Sequence, residues 1–263
     1  MSANADFDRL RVVLVETRNP LNIGAAARAM SNFGFSRLRV VNPYDAAFRE
    51  ARSAAGGIGV LAGAEECTSL AGAIGDSTLV VGTTAVRNRE LHHPLEDLAK
   101  GAAAIREHLA SGNVCLLFGS EKFGLSNEDL SHCNWLMRIP TGEMNISMNL
   151  GQAVAICLYE LVRDSRMFLQ SSAVPSGAAQ PMAEPSKSQP PSASAAEIDR
   201  ITSLLMEVLH GSGYLNSRSI LSADEKIRRL VRRLNIPASD AEVWLGILRQ
   251  IAWKIHAGSD SEP

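Results

Sequence analysis

Runs of valine and leucine without polar alternation recur along the chain. LRVVLVE at 10–16, LRVV at 38–41, TLVVG at 78–82, VCLLFG at 114–119 and LMRIP at 136–140 read as buried strands, because a strand with one wet face alternates apolar and polar residues. Between them the apolar positions take a helical period, over about 22–33, 94–109, 127–132 and 150–169. Strands alternating with helices predict an α/β domain with a mostly parallel sheet.

The pattern breaks at 170–195. This stretch, QSSAVPSGAAQPMAEPSKSQPPSASA, carries five of the eleven prolines and no aromatic residue. Too little apolar surface is available there to offset the entropy of ordering it, which predicts a flexible linker. Helical patterns return from 196 to 263. AEIDRITSLLMEVLHGSG ends on glycines, a common helix stop. SADEKIRRLVRRLN opens with a serine and acids and places Ile227, Leu230, Val231 and Leu234 on one face. ASDAEVWLGILRQIAWKIH does the same with Val243, Ile247, Ile251 and Ile255. The expected organisation is an α/β domain at 1–169, a linker at 170–195 and a small all-α extension at 196–263.

Charge and cysteine usage narrow the class. The net charge is −2, so no field of the whole protein attracts nucleic acid, and any such site is a local patch. Over residues 196–256 nine Lys and Arg face seven Asp and Glu. The excess is concentrated in KIRRLVRRL, where Lys226, Arg228, Arg229, Arg232 and Arg233 are expected on the outer face. Cys67, Cys115, Cys133 and Cys157 are scattered, with no CxxC or Cys/His cluster. They read as reduced, buried thiols in a cytoplasmic protein, without a metal. The start of the chain carries acids and no apolar core, unlike a signal peptide.

The glycine-rich segments GGIGVLAG and GSEKFG fit neither the dinucleotide nor the P-loop fingerprint, which disfavours dehydrogenases and NTPases. Three other segments share a design. Residues 81–87 (VGTTAVR), 116–130 (LLFGSEKFGLSNEDL) and 138–153 (RIPTGEMNISMNLGQA) each leave the C-terminal end of an expected strand through a polar, glycine-bearing turn. Ligands of open parallel sheets bind beyond those strand ends, so the three loops are candidates for one pocket. Each also has a plainer reading: Ser126 with Glu128 and Asp129 caps a helix, Ser147 caps the helix from Leu150, and Gly119 and Gly124 allow tight turns.

Taken in order, N-x-G-A-A-A-R-A from Asn22, L-F-G-x-E-x-x-G-L-S from Leu117 and I-P…S-M-N-L-x-x-A from Ile139 resemble the three motifs of the SpoU/TrmH branch of the SPOUT methyltransferases. The match covers nearly all of 10–165. The opening and the helical tail look most like a subgroup of that branch that methylates the ribose 2′-oxygen in the anticodon loop of tRNA. The resemblance implies a SPOUT sheet with a C-terminal deep trefoil knot and a homodimer with a shared active site. It implies S-adenosylmethionine as methyl donor, held by Thr83, Thr84, Ala85, Gly119, Ile139, Ile146, Ser147 and Met148. It leaves ribosomal RNA as an alternative substrate, and a non-catalytic RNA-binding module as an alternative role.

The same motifs single out Arg28, Asn22, Glu121, Ser147 and Asn149 as catalytic or supporting residues. Arg28 stands among alanines in NPLNIGAAARAMSNFG, where packing alone has no use for a cation; its plainer reading is an ion pair with a surface acid. The resemblance assigns it to the substrate hydroxyl and the adjacent phosphate, with Gly24, Ala25, Ala26 and Ala27 small enough to admit a ribose or to pack a helix closely. Glu121 is expected to accept hydrogen bonds from Arg28 or from loop amides, and Asn149 to fix the loops. Ser120 stands where relatives often carry arginine. RNA contacts are expected from Arg28, Lys226, Arg229 and Arg233.

Overall fold

A computed structural model of the chain describes residues 7–43, 48–49, 51, 59–85, 92–142, 146–163, 191–215 and 220–259. Seven strands form one sheet: β1 (Leu10–Val15), β2 (Arg37–Val41), β3 (Glu65–Cys67), β4 (Leu79–Thr83), β5 (Leu95–Asp97), β6 (Val114–Phe118) and β7 (Trp135–Arg138). Their order is β3-β2-β1-β6-β4-β7-β5. Every pairing in it is parallel.

The apolar strand sequences reflect burial on both faces. Along β1, Leu10, Val12 and Leu14 join one core cluster, with Ile23, Met30, Val154 and Leu158. Val13 and Val15 join a second on the opposite face, with Ile74, Cys115, Leu117 and Leu130. The first face is covered by α1 (Pro20–Asn32), α4 (Leu98–Leu109) and α6 (Leu150–Val162). The second is covered by α3 (Leu70–Ile74), α5 (Asn127–Ser131) and the start of α7 (Ala195–Gly211). The short α2 (Gly59–Ala62) packs beside α1. Cys115, Cys133 and Cys157 are buried free thiols and Cys67 is half-buried; burial pushes the Cys115 thiol up to about 11 and that of Cys157 up to about 12, far from the reactive thiolate.

Two strands differ from the expectation. β5 occupies the start of the stretch expected to be helical from 94, and α4 begins only at Leu98. β3 is a polar edge strand, Glu-Glu-Cys, whose composition gives no β signal. The helix expected over 150–169 ends at Val162 among the described residues, and its continuation lies outside them, as do Arg87 and 170–190 of the expected linker. The end of that linker is bound: Ala193 N–H donates to Ile236 O at 2.9 Å, and Ala195 N–H to Ser77 O at 2.7 Å.

The extension forms three helices, α7, α8 (Ile220–Arg233) and α9 (Ala238–Ser259). α7 starts on a capping box of Ser194 and Glu197. Ser222, expected as the cap of the second helix, lies inside α8. The buried faces of α8 and α9 also differ from those expected. Val231, Ala241, Leu245 and Leu248 pack against Ile198 and Ile201 of α7, while Leu230, Leu234, Val243, Ile247 and Ile251 are exposed.

The reason is the docking of the extension on the sheet domain. α7 packs on α3 and α8 on α5, and this turns Arg228, Arg229 and Arg232 of α8 inward. Arg232, 3 % exposed, pairs with Asp199 at 2.9 Å. Arg228 Nη1 donates to Ser131 Oγ at 2.8 Å, and Arg229 is 8 % exposed. The outer-face expectation therefore holds for Lys226 and Arg233, which are exposed, and fails for Arg229 and Arg232. His132 is buried in the same seam; burial and the nearby Arg228 and Arg232 hold its pKa down at about 3.

Candidate functional site

The C-terminal ends of β4, β6 and β7 open into a cavity of about 300 Å³, the lower end of the range for small-molecule sites. All eight residues expected around a cofactor line it: Thr83, Thr84 and Ala85 after β4, Gly119 after β6, and Ile139, Ile146, Ser147 and Met148 after β7. Lys122, Phe123, Leu125, Met137 and Thr141 line it as well. Those five were not singled out from the sequence, although Lys122, Phe123 and Leu125 fall inside the second motif. Their side chains carry no signature chemistry, so only geometry could find them.

Each loop has a local reason for its shape. The turn at 120–124 closes through Gly124 N–H to Ser120 O at 2.8 Å, with Gly124 at φ +68°. A Cβ on Gly119 would stand 2.0 Å from the Gly124 carbonyl carbon, so the two backbone segments meet only because residue 119 has no side chain. Ser126 forms a capping box with Asp129 on α5, so the plain reading of that serine is the structural one. Thr83 Oγ1 donates to Leu117 O at 2.8 Å, tying the first loop to β6. Thr141 Oγ1 donates to Ile146 O at 3.2 Å across the third loop.

Beside the cavity runs a polar chain that joins all three motifs. The Glu121 carboxylate accepts from Asn22 Nδ2 at 3.0 Å and from the amides of Arg18 and Asn19 at 3.4 and 3.3 Å. Asn22 Oδ1 accepts from Asn149 Nδ2 at 2.9 Å. Asn149 Oδ1 in turn caps α6, accepting from Gly151 N–H at 2.9 Å. The helix cap expected of Ser147 is thus made by Asn149, which leaves the Ser147 side chain exposed at the cavity wall. Of the two partners expected for Glu121, the loop amides are present and Arg28 is not.

Arg28 stands exposed on α1 and makes no ion pair or hydrogen bond with a described residue. It is not among the residues lining the cavity of its own chain. The alanines around it serve packing: Ala26 and Ala27 are fully buried, and Ala25 approaches Gly151 so closely that a Cβ there would lie 2.6 Å away. Ser120 closes the turn at 120–124 and lines the cavity.

The lining fits S-adenosylmethionine in kind. Phe118, Leu125, Ile139 and Leu150 offer apolar walls for a flat, uncharged base, with hydroxyls at Thr84, Thr141 and Ser147, and the Glu121 carboxylate lies at the wall for a cationic group. Among the described residues no cluster of His, Cys, Asp or Glu could hold a metal ion, and no helix is long and apolar enough to cross a membrane.

The model of the SpoU rRNA Methylase family matches residues 9–159. The chain is 34 % identical over 248 residues to the tRNA (cytidine/uridine-2′-O-)-methyltransferase TrmJ of Sodalis glossinidius, covering 92 % of this chain and 91 % of that one. It is 41 % identical over 157 residues to the tRNA (cytidine/uridine/adenosine-2′-O-)-methyltransferase TrmJ of Pseudomonas aeruginosa, covering 59 % and 61 %. The crystal structure of TrmJ from Z. mobilis ZM4 superposes with a TM-score of 0.75 at 28 % identity, over 92 % of this chain and 98 % of that one. Matched by that family model over more than half of its length, and by a relative 34 % identical over 92 % of it, the chain belongs to the SpoU methylase family.

Proposed function

We propose that the protein transfers a methyl group from S-adenosylmethionine to a ribose 2′-oxygen of tRNA, in the anticodon loop. The observation that carries this reading is the convergence of eight residues from three separate segments on one cavity at the strand ends, with Glu121, Asn22 and Asn149 bonded in series beside it. Transfer to tRNA is favoured over ribosomal RNA because full-length relatives, tail included, are named as tRNA enzymes.

The cofactor, when bound, supplies an electrophilic methyl on a sulfonium. The residues of the chain then have two tasks. Thr83, Thr84, Ala85, Gly119, Ile139, Ile146, Ser147 and Met148 would hold the donor, and positioning of two reactants supplies much of the rate. Arg28 presents a planar cation to the 2′-oxygen and the neighbouring phosphate, stabilising charge as the oxygen attacks. Guanidinium groups stay protonated in proteins, so the hydroxyl proton leaves to a phosphate oxygen or water rather than to Arg28.

Two structural readings accompany this one. Arg28 lies outside its own cavity, which supports a homodimer whose partner brings the arginine to the reacting ribose; exposed Leu21 on α1 and Tyr159 on α6 are suitable apolar contacts. Sedimentation at micromolar concentration that gives only monomer rejects it. The deep trefoil knot belongs to the same reading, supported by the family match and by the likeness to the TrmJ crystal structure; an experimental chain trace without a knot rejects it.

The organisation into a catalytic unit (1–169), a linker (170–195) and a helical unit (196–263) belongs to the same reading, with Lys226 and Arg233 as the phosphate contacts of the tail. The test of the function is incubation with labelled S-adenosylmethionine and bulk RNA, then nucleoside mass spectrometry. The expected product is a 2′-O-methylnucleoside in the tRNA fraction. A base-methylated product, or none, overturns the reading.

A further inference from the structure

Phe123 sits at the tip of the turn at 120–124 and is 71 % exposed. Single exposed apolar residues are ordinary on protein surfaces, but the position of this ring is not. It lines the strand-end cavity and also a second, adjoining cavity walled by Glu16, Ser126 and Asn127. The ring therefore forms part of the boundary between the two. The other phenylalanine at the first cavity, Phe118, is buried in the sheet core. The turn that carries Phe123 is held by the Gly124 amide bond to Ser120 and by the contact that only a glycine at 119 permits. A ring on so constrained a turn is presented at low entropic cost. Lys122 Nζ stands 5.0 Å from its centroid.

A phenyl face flanked by an ammonium group is what single-stranded nucleic acid uses. Bases stack on the ring, and the cation meets the backbone phosphate. We propose that Phe123 is the stacking platform for the base of the target nucleotide, with the second cavity receiving that base's polar edge and Lys122 an adjacent phosphate. The inference rests on the RNA methyltransferase reading above and adds to it a positioning residue for the substrate. The geometry suits that task. Phe123 lines the cavity proposed for the methyl donor, so a nucleotide whose ribose reaches that cavity has the ring at hand for its base. Stacking is tolerant of base identity, so Phe123 contributes affinity and orientation rather than choice of base.

The experiment uses the full-length protein and the tRNA that mass spectrometry shows to be methylated, in two forms: intact, and with the target base removed from its ribose. Phe123→Ala is expected to raise KM for intact tRNA roughly 10-fold, within the range of one lost base–aromatic stack. Phe123→Tyr should restore KM to within about twofold, as a second aromatic face does. On the abasic tRNA the wild-type protein should already show the raised KM, and Phe123→Ala should add nothing. Dissociation of S-adenosylmethionine, measured separately by calorimetry, reports any effect through the first cavity. A wild-type KM in Phe123→Ala, or an equal loss on intact and abasic tRNA, overturns the platform alone. A wild-type protein that methylates no RNA overturns the function beneath it as well.

Discussion

Asn149 donates through Nδ2 to Oδ1 of Asn22 across 127 positions of sequence, at 2.9 Å. The orientation of both amides follows from Glu121. A carboxylate only accepts, so Asn22 must turn its NH2 to Glu121 and its oxygen to Asn149. Asn149 must then donate to it, which leaves its own oxygen to cap α6. One carboxylate thus sets the geometry of all three motifs.

Asn22→Asp tests that chain. It places a second carboxylate against Glu121 where a donor stood, and leaves the Asn149 NH2 as the only donor to it. We expect a loss of about 1–3 kcal/mol in unfolding free energy, read from urea denaturation, and weaker S-adenosylmethionine binding. Asn149→Ala removes the helix cap as well and should cost about 1–2 kcal/mol. Unchanged midpoints in both variants would mean that the chain contributes nothing.

Gly119→Ala tests the turn at the cavity wall. The added methyl would lie 2.0 Å from the backbone of Gly124, and no side-chain rotation relieves a clash with backbone. The expectation is a loss of about 2–4 kcal/mol and a calorimetric titration with S-adenosylmethionine that shows no binding heat. Gly24→Ala is the control, since a Cβ there meets nothing within 4 Å.

Arg232 and Arg233 are neighbours with opposite expected phenotypes. Arg232→Ala leaves Asp199 without its partner in the seam between α7 and the sheet domain and should cost about 2–4 kcal/mol. Arg233→Glu, on the exposed side, should leave the melting temperature within a degree or two. Combined with Lys226→Glu, it should lower tRNA affinity and reduce the salt slope by about two phosphate contacts. Equal effects of the two arginine substitutions on stability would contradict the seam.

The same seam carries a pH dependence. His132 has a folded pKa of about 3, below the ordinary value of about 6.5. Between these values the unfolded chain binds a proton that the folded chain does not, so stability rises with pH there. His93, held down at about 4 by burial and by Arg229 and Arg233, acts in the same direction. Urea midpoints should therefore fall as the pH drops from about 6.5 towards 4. His132→Gln should flatten part of that slope, with Arg228, Arg232 and Asp199 still in place around it. A slope identical to the wild type would remove His132 from the account.

What was legible in the sequence follows from where its patterns have one physical meaning. β1, β4 and β6 are nearly all apolar because both faces are covered, and no other element of that length reads so; β2 and β7 were legible from their apolar cores, LRVV and LM. β3 and β5 are polar edge strands, held by one neighbour each, and their composition resembles the caps and turns around them. The three cavity loops were legible because motif order survives when fold does, yet Phe123 and Lys122 were not, since exposure is a property of the folded turn. The faces of α8 and α9 were misread for a related reason. α9 carries two apolar stripes, and which one is buried is decided by α7. On α8 Arg232 and Arg228 are drawn inward by Asp199 and Ser131, against what helical periodicity alone would place there.

In the proposed reaction the exposed guanidinium of Arg28 on α1 serves the chemistry of methyl transfer. Single-turnover transfer from labelled S-adenosylmethionine to tRNA by Arg28→Lys, at saturating concentrations of both substrates, measures it most directly. The expected rate is at least about 100-fold below wild type, an effect of the size seen when a group that stabilises developing charge is removed, with the cofactor still bound at wild-type affinity. A wild-type rate from the lysine variant would contradict it.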